Sequence, residues 1–322
     1  MVRYLSEDDV KQLLPMDRAI ALVEEAFRQV GNGQGENLPR QRVHSPEKTL
    51  HLMAASLPQF GFMGLKVYTV FAGRARFLVY LYSSMTGELL AVIEADRLGR
   101  TRTGAASGVA TRWMSRPDSR VVGILGSGWQ AGSQLQAVCQ VRPIQQIVAF
   151  SRSRLRVQEF CKEMELHLQV PCLTAGSPQE VVEKADILIT MTTSSTPVFK
   201  GEWVRPGTHI NAAGSNLLIK RELDETCLAR CHTIVVDSKE QARMECGELL
   251  APVEKGLLNW NRIFELSDVV TERVKPRTEA PQITLFKSLG LALEDVAVAT
   301  EVYQRALQEN IGKSVGNYGY QD

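Results

Sequence analysis

A buried strand that runs straight into a glycine turn and then a helix constrains this chain more than any other feature. Val121-Val122-Gly123-Ile124-Leu125 is continuously apolar or small, and Gly126-Ser127-Gly128-Trp129-Gln130-Ala131 follows at once. This is the G-x-G-x-x-A form of the dinucleotide-binding fingerprint, in its required strand–turn–helix setting. Gly126 permits the sharp turn, Gly128 lets backbone approach a pyrophosphate, and Ala131 lets the helix pack on the strand. The helix N-terminus offers free N–H groups and partial positive charge to phosphates. Ser127, Trp129 and Gln130 complete the loop and are taken with the two glycines as cofactor-binding.

The next strand indicates which nucleotide. Ile147-Val148-Ala149-Phe150 is apolar and β-prone, and Ser151-Arg152-Ser153-Arg154 follows it. A site for NAD ordinarily ends this strand on an acid that accepts from the ribose hydroxyls. Hydroxyls and arginines suit a 2′-phosphate instead, through charge-assisted bonds. NADP(H) is therefore the expected cofactor, with NAD(H) as the alternative. Ser151, Arg152 and Ser153 are the expected contacts. A competing reading makes the two arginines the solvated first turn of the next helix.

The composition is that of an ordinary globular protein: 322 residues, 44% hydrophobic, 23% charged, net charge +1. That length suits two domains, and near-neutral charge gives no reason to expect nucleic acid or an anionic membrane as partner. No apolar run approaches the roughly 18 residues of a spanning helix. The N-terminus lacks the apolar core of a signal peptide, so a cytoplasmic location is expected. Six cysteines are scattered without metal-ligand spacing, and no metal is expected.

Helical periodicity through Ile20, Val23, Phe27 and Val30 predicts a helix from Met16 to Val30. Residues 51–95 read as strands, among them Val67–Phe71, Leu78–Tyr82 and Leu89–Glu94, the last entered by a turn at Thr86-Gly87-Glu88. A small-residue helix is expected from about Thr103 to Met114. Beyond it strands and helices alternate, as in a parallel sheet, with strands at Asp186–Met191, His209–Ala213 and Thr233–Asp237. A helix from about Leu289 to Gln308 closes the region, its C-terminal half returning to the first domain. The tail from Gly312 to Asp322 reads as loose. The fold class is α/β: a Rossmann-type doubly wound parallel sheet plus a mixed α/β domain. The expected division is 1–118 joined by about 300–322, and 119–299.

Several segments then line up in order: Leu38-Pro39-Arg40, Gly64-Leu65-Lys66-Val67, Arg102-Thr103-Gly104-Ala105-Ala106, Ala213-Gly214-Ser215-Asn216, Glu245-Cys246-Gly247-Glu248-Leu249 and Phe286-Lys287-Ser288-Leu289-Gly290. Together they resemble the ornithine cyclodeaminase/mu-crystallin family across nearly the whole chain. The resemblance implies a homodimer whose N-terminal domain binds substrate and dimerises, and whose second domain holds the nucleotide. It also implies hydride transfer at the α-carbon of a small amino or imino acid.

Such chemistry needs fixed cations to hold the substrate carboxylate. In the family's register these fall at Arg40, Lys66 and Arg102. Lys66, at the start of an apolar strand, is also placed for desolvation to lower its pKa towards neutrality. Arg102 stands where small residues open a helix. Thr192, Thr193 and Ser194 follow a strand end and are expected at ribose or nicotinamide; Ser288 and Gly290 are expected there by resemblance. Asn216 departs from the cyclodeaminase pattern, which has Asp. An amide cannot titrate near pH 7 or pair with an ornithine ammonium as a carboxylate does. Asn216 is read as catalytic, bonding the nicotinamide carboxamide or the substrate, or else as a turn residue. Asp237 ends a strand, in a structural or a supporting role, and His209 reads as core. Met53, Phe71 and Phe77 are candidates to shape the substrate pocket.

The leading expectation is an NAD(P)-dependent ketimine reductase or alanine dehydrogenase-like oxidoreductase. The alternatives are an ornithine cyclodeaminase and a non-catalytic NADP-dependent ligand-binding protein.

Overall fold

The computed structural model describes residues 1–46, 48–71 and 74–316; the side chains of Phe71 and Arg74 and the end of the tail from residue 317 lie outside the described residues. The chain forms two compact units, Met1–Arg102 with Leu291–Asp322, and Thr103–Gly290.

The first unit contains β1 (Arg3–Leu5), α1 (Glu7–Leu13), α2 (Met16–Gly31), β2 (Glu36–Ser45), β3 (Lys48–Leu57), β4 (Phe62–Phe71), β5 (Arg74–Ser83) and β6 (Leu89–Glu94), and α3 (Asp96–Met114) begins in it. Strands β2 to β6 form an antiparallel meander, and β1 adds parallel to β6. The expected strand at Leu89–Glu94 is β6, and the expected helix from Met16 is α2, with Ile20, Val23 and Phe27 buried.

Three expectations need correction here. The early tail is not loose: Lys313 and Ser314 pair antiparallel with β1, and Val2 exchanges backbone hydrogen bonds with Val315 and Gly316. Lys66 lies in the middle of β4, not at its start. And α3 begins at Asp96, because the Glu7 carboxylate accepts from the Asp96 and Arg97 N–H groups at 2.7 and 2.8 Å. That long-range cap satisfies donors a helix start otherwise leaves open, and it puts Arg102 well inside the helix.

The second unit contains β7 (Val121–Leu125), α4 (Ala131–Val141), β8 (Gln146–Phe150), α5 (Arg154–Leu168), β9 (Cys172–Thr174), α6 (Pro178–Lys184), β10 (Ile187–Thr190), β11 (His209–Ala212), α7 (Glu225–Arg230), β12 (Thr233–Val236), α8 (Lys239–Glu245), α9 (Gly247–Glu254), β13 (Ile263–Glu265), α10 (Leu266–Val270) and β14 (Thr284–Lys287). Its eight strands are all parallel, in the order β13-β12-β14-β11-β10-β7-β8-β9. Strands buried on both faces explain why β7 and β10 read as nearly unbroken apolar runs; β11 carries His209 and Asn211 into the same buried layer, where Thr284 and Thr111 bond their side chains. Strand order reverses between β7 and β10, and ligands of such sheets bind beyond the strand ends at that point.

The chain then returns. All of α11 (Ala292–Gln308), not its C-terminal half alone, belongs to the first unit, and β15 (Lys313–Ser314) follows it. From Ala292 to Val302 every residue of α11 is buried, as expected for a helix packed on several sides at once. It packs against β2 to β5 and against α1 and α2. One sheet face is thereby covered. Leu52, Ala54, Leu65, Val67, Leu78, Tyr80 and Val92 alternate with the covered residues and remain partly exposed on the other.

The close fit of α3 on α4 within the second unit is testable. A Cβ added at Gly104 would stand 2.4 Å from the Ser133 carbonyl oxygen, a backbone atom. Gly104→Ala gains up to about 1 kcal/mol in helix propensity and incurs about 1–3 kcal/mol of overpacking. The expected net result in a thermal melt is a lower Tm; an unchanged or higher Tm would show that the gap tolerates a methyl group.

Candidate active site

The three cations expected from sequence meet in the first unit. Lys66 projects from mid-β4 on the face that α11 covers, and only 3% of it is exposed. A buried ammonium needs a partner, and Lys66 Nζ donates to Asp295 Oδ1 of α11 at 2.9 Å. Arg102 Nε donates to the same oxygen at 3.1 Å, and its Nη1 donates to Glu294 Oε2 at 2.8 Å. Arg40, also buried, enters from the irregularity in β2 between Leu38 and Gln41. Gly99 of α3 supplies the room: a Cβ there would lie 2.9 Å from Lys66 Nζ.

Electrostatics separate the two central cations. Burial lowers the Lys66 pKa, Asp295 opposes it, and the positive charges of Arg102 and Arg40 push it down again, to about 8. Burial also opposes the Arg102 charge, but Asp295 and Glu294 together raise its pKa above the ordinary arginine value. Arg102 is therefore a permanent cation, while Lys66 can release and take up a proton near neutrality. Asp295 Oδ2 is buried and has no hydrogen-bond partner among the described residues.

In the second unit the nucleotide fingerprint is formed as a cradle. Gly126 has φ +113, a conformation that favours glycine, and a Cβ there would meet the Met191 carbonyl oxygen at 2.2 Å. A Cβ at Gly128 would meet nothing within 4 Å, so protein packing does not require that glycine, whereas backbone approach by a pyrophosphate does. No side chain caps α4 at Gln130; the Ala131 N–H donates to the Gly128 carbonyl at 3.0 Å, and the rest of the first turn is left open to phosphate. Trp129 is exposed beside them. These features fit a dinucleotide. Ser127 Oγ donates to Ser151 Oγ at 3.1 Å across the ends of β7 and β8. Ser153 caps α5, and Arg152 and Arg154 are exposed at its start. No acid stands at the end of β8.

The loops after β10 and β11 are tied together by residues to which sequence reasoning gave no role. Glu222 accepts from Thr190 Oγ1 at 2.8 Å, Thr192 N at 2.6 Å and Gly214 N at 3.0 Å. Its own N–H donates to Glu248. Lys287, fully buried at the end of β14, pairs with Glu248 at 2.7 Å and donates to the Ser215 carbonyl at 2.7 Å. This cluster fixes the backbone at Thr192, Gly214 and Ser215, next to Thr193, Ser194 and Asn216. Asp237 Oδ2 accepts from Leu289 N and Gly290 N at 2.6 and 2.7 Å and from Ser288 Oγ at 3.4 Å, so Ser288 and Gly290 are held by the end of β12. His209 is core: burial, with Arg277 nearby, lowers its pKa to about 3, and its ring bonds Thr284 and Asn211. Asp295 and Glu294 were also missed. Their signal was a pair of acids in the first turn of a helix, followed directly by the apolar run Val296–Ala299.

Comparison with known proteins agrees with this arrangement. The family model for the ornithine cyclodeaminase/mu-crystallin family matches residues 2–310. The chain is 35% identical to an alanine dehydrogenase of Archaeoglobus fulgidus over 322 residues, covering 97% of each. It superimposes on the structure of Thermococcus litoralis Δ1-pyrroline-2-carboxylate reductase in complex with NADH and L-proline with a TM-score of 0.93 at 36% identity, covering 97% of this chain and all of the other. It superimposes on an archaeal alanine dehydrogenase dimer with bound NAD with a TM-score of 0.92 at 34% identity, covering 98% and 99%. From strand order, cation cluster and whole-length similarity alike, this chain belongs to the ornithine cyclodeaminase/mu-crystallin family.

Proposed function

We propose that this protein is an NAD(P)-dependent oxidoreductase that reduces a small 2-imino acid, or oxidises the corresponding 2-amino acid. The first unit is its substrate domain and the second its dinucleotide domain. The observation that carries the reading is Lys66: a buried ammonium with a pKa near 8, sharing one carboxylate oxygen with a permanent guanidinium, in a chain whose other unit carries the nucleotide cradle. Relatives over the whole length act on alanine or on a cyclic imino acid, as their names state.

The cradle of Gly126, Gly128 and the α4 N-terminus would hold the dinucleotide, which would supply or accept the hydride of this chemistry. The remaining work falls to the chain. Arg40 and Arg102 hold the carboxylate and fix the orientation of the α-carbon. Lys66 Nζ holds the proton that the imine nitrogen takes in reduction and regains one in oxidation. Asp295 Oδ2 is the buried acceptor available to a substrate N–H. Asn216 offers an amide where cyclodeaminases of the family carry an acid, which favours net redox chemistry over ammonia loss from ornithine. A panel of imino acids, amino acids, and 2-oxo acids with ammonia, followed by nicotinamide absorbance, tests the assignment. Turnover with no member would remove it.

The cofactor is NADP(H) in preference to NAD(H), supported by the Ser127–Ser151 pair, the exposed arginines and the lack of an acid at β8. The assembly is a homodimer. Antiparallel sheets with one solvated face carry polar residues on it; here the face that α11 leaves uncovered is largely apolar, through Leu52, Ala54, Leu65, Val67, Leu78, Tyr80 and Val92, and a contiguous apolar face of this kind marks an interaction surface.

Three outcomes are expected. In the reductive direction kcat/KM falls as pH rises through about 8, because deprotonated Lys66 has no proton to give; in the oxidative direction it rises through the same pH. Lys66→Met abolishes both yet leaves nucleotide binding intact, and a pH profile flat from 7 to 9 would remove Lys66 from proton transfer. NADPH binds more tightly than NADH, and Arg152→Ala narrows the gap about ten- to a hundred-fold, the loss of one charge-assisted contact; equal affinities in the unaltered protein would refute the preference. Light scattering gives twice the chain mass of 35.8 kDa, and Tyr80→Glu halves it. A monomeric parent protein would leave the apolar sheet face unexplained.

A further inference from the structure

One cross-strand row on the face that carries Lys66 is not used by the chemistry above. Arg42 pairs with His51, His51 with Tyr68 and Tyr68 with Phe77, in register across β2, β3, β4 and β5. The neighbouring row on the same face is Met53, Lys66 and Val79. Two residues of strand separate the rows, a distance of about 7 Å. The His51 ring lies flat on Tyr68, with centroids 4.2 Å apart and planes 4° apart. Tyr68 leans on Phe77 at 4.6 Å, and Lys66 Nζ sits 4.8 Å from the Phe77 centroid. The row is thus continuous with the cation cluster.

His51 is 8% exposed, and its Nδ1 is buried without a hydrogen-bond partner among the described residues. An unmet buried ring nitrogen carries a free-energy cost until something bonds it. Burial, and then the positive charges of Arg42 and Arg40 nearby, keep the ring neutral, at a pKa of about 4. A neutral imidazole offers one N–H donor and one acceptor. The surrounding field selects the ligand: it attracts an anion and repels an ammonium.

We propose that Arg42, His51, Tyr68 and Phe77 form the side-chain subsite, and that it selects substrates bearing a second carboxylate about one strand repeat from the first and rejects those bearing an ammonium there. The proposal rests on the reading that Lys66, Arg102 and Arg40 hold the α-carboxylate. The stacked rings form a flat wall, His51 N–H and Arg42 donate to the distal carboxylate, and the separation of the rows sets the length. A basic amino acid such as ornithine is excluded here by charge, independently of Asn216.

The test is titration calorimetry on the full chain saturated with NADPH, with three inert probes: propionate, succinate and 4-aminobutanoate. Succinate should bind at least ten-fold more tightly than either other probe. His51→Leu should reduce that advantage ten-fold or more while changing propionate less than two-fold. Arg42→Gln, at a half-buried position, should do the same and carries the test if His51→Leu does not fold. Binding of 4-aminobutanoate as tight as that of succinate would overturn the subsite, as would equal weakening of propionate and succinate in both variants. If none of the probes binds the unaltered protein while NADPH still does, the carboxylate-site reading itself fails.

Discussion

The burial of one lysine in the middle of a β-strand organises the first unit. An ammonium withdrawn from water is costly unless an anion meets it with good geometry. Neighbouring strands do not supply one: the residues paired with Lys66 are Met53 and Val79. The anion comes from Asp295, 229 residues further along. The anion therefore reaches the lysine only after the chain has built the second unit and returned α11 to the first. The ion pair ties the two separated segments of the first unit together, and the bare backbone of Gly99 leaves room for the ammonium. The same Asp295 oxygen fixes Arg102, so two buried cations are set by a single acceptor.

The second unit repeats the device for a different end. Lys287 is buried with Glu248 and Glu222, and the cluster carries no cation toward solvent. Its bonds go to backbone: Thr192 and Gly214 N–H groups, and the Ser215 carbonyl. Burial, with Glu248 nearby, raises the Glu222 pKa while Lys287 opposes it. Three donors to one carboxylate hold two loops at the ends of β10 and β11 in a fixed relation. Such loops otherwise rank among the mobile parts of a fold, and here a buried carboxylate pre-organises their backbone.

Local signals were legible and long-range ones were not. The fingerprint at Gly126 and Gly128, the helix from Met16 and the strand Leu89–Glu94 each rest on residues close in sequence, and they stand where periodicity and turn chemistry place them. The start of α3 was misjudged because its cap, Glu7, comes from the other end of the unit. The tail was misjudged because its order depends on pairing with β1. Arg40, Lys66 and Arg102 were found through the family's register, not through any pattern in their own neighbourhoods. Their counter-ions were missed because an acid pair in the first turn of a helix reads as an ordinary N-terminal preference; only the apolar stretch after it hints that the pair is buried.

Lys66 and His51 show how one physical effect yields two chemical roles on a single sheet face. Burial disfavours the charged form of both, and nearby guanidinium groups push both pKa values further down. His51 has no carboxylate opposing this shift, so it falls to about 4 and stays neutral throughout the physiological range, a fixed hydrogen-bonding surface. Lys66 begins from a higher intrinsic value and has Asp295, which returns part of the loss and leaves it near 8. The carboxylate thus does not merely stabilise a buried charge. It also sets the lysine near 8, where the charged and neutral forms are both accessible close to neutrality; a fully compensated ion pair would hold the proton more tightly, and an uncompensated site would leave the amine neutral.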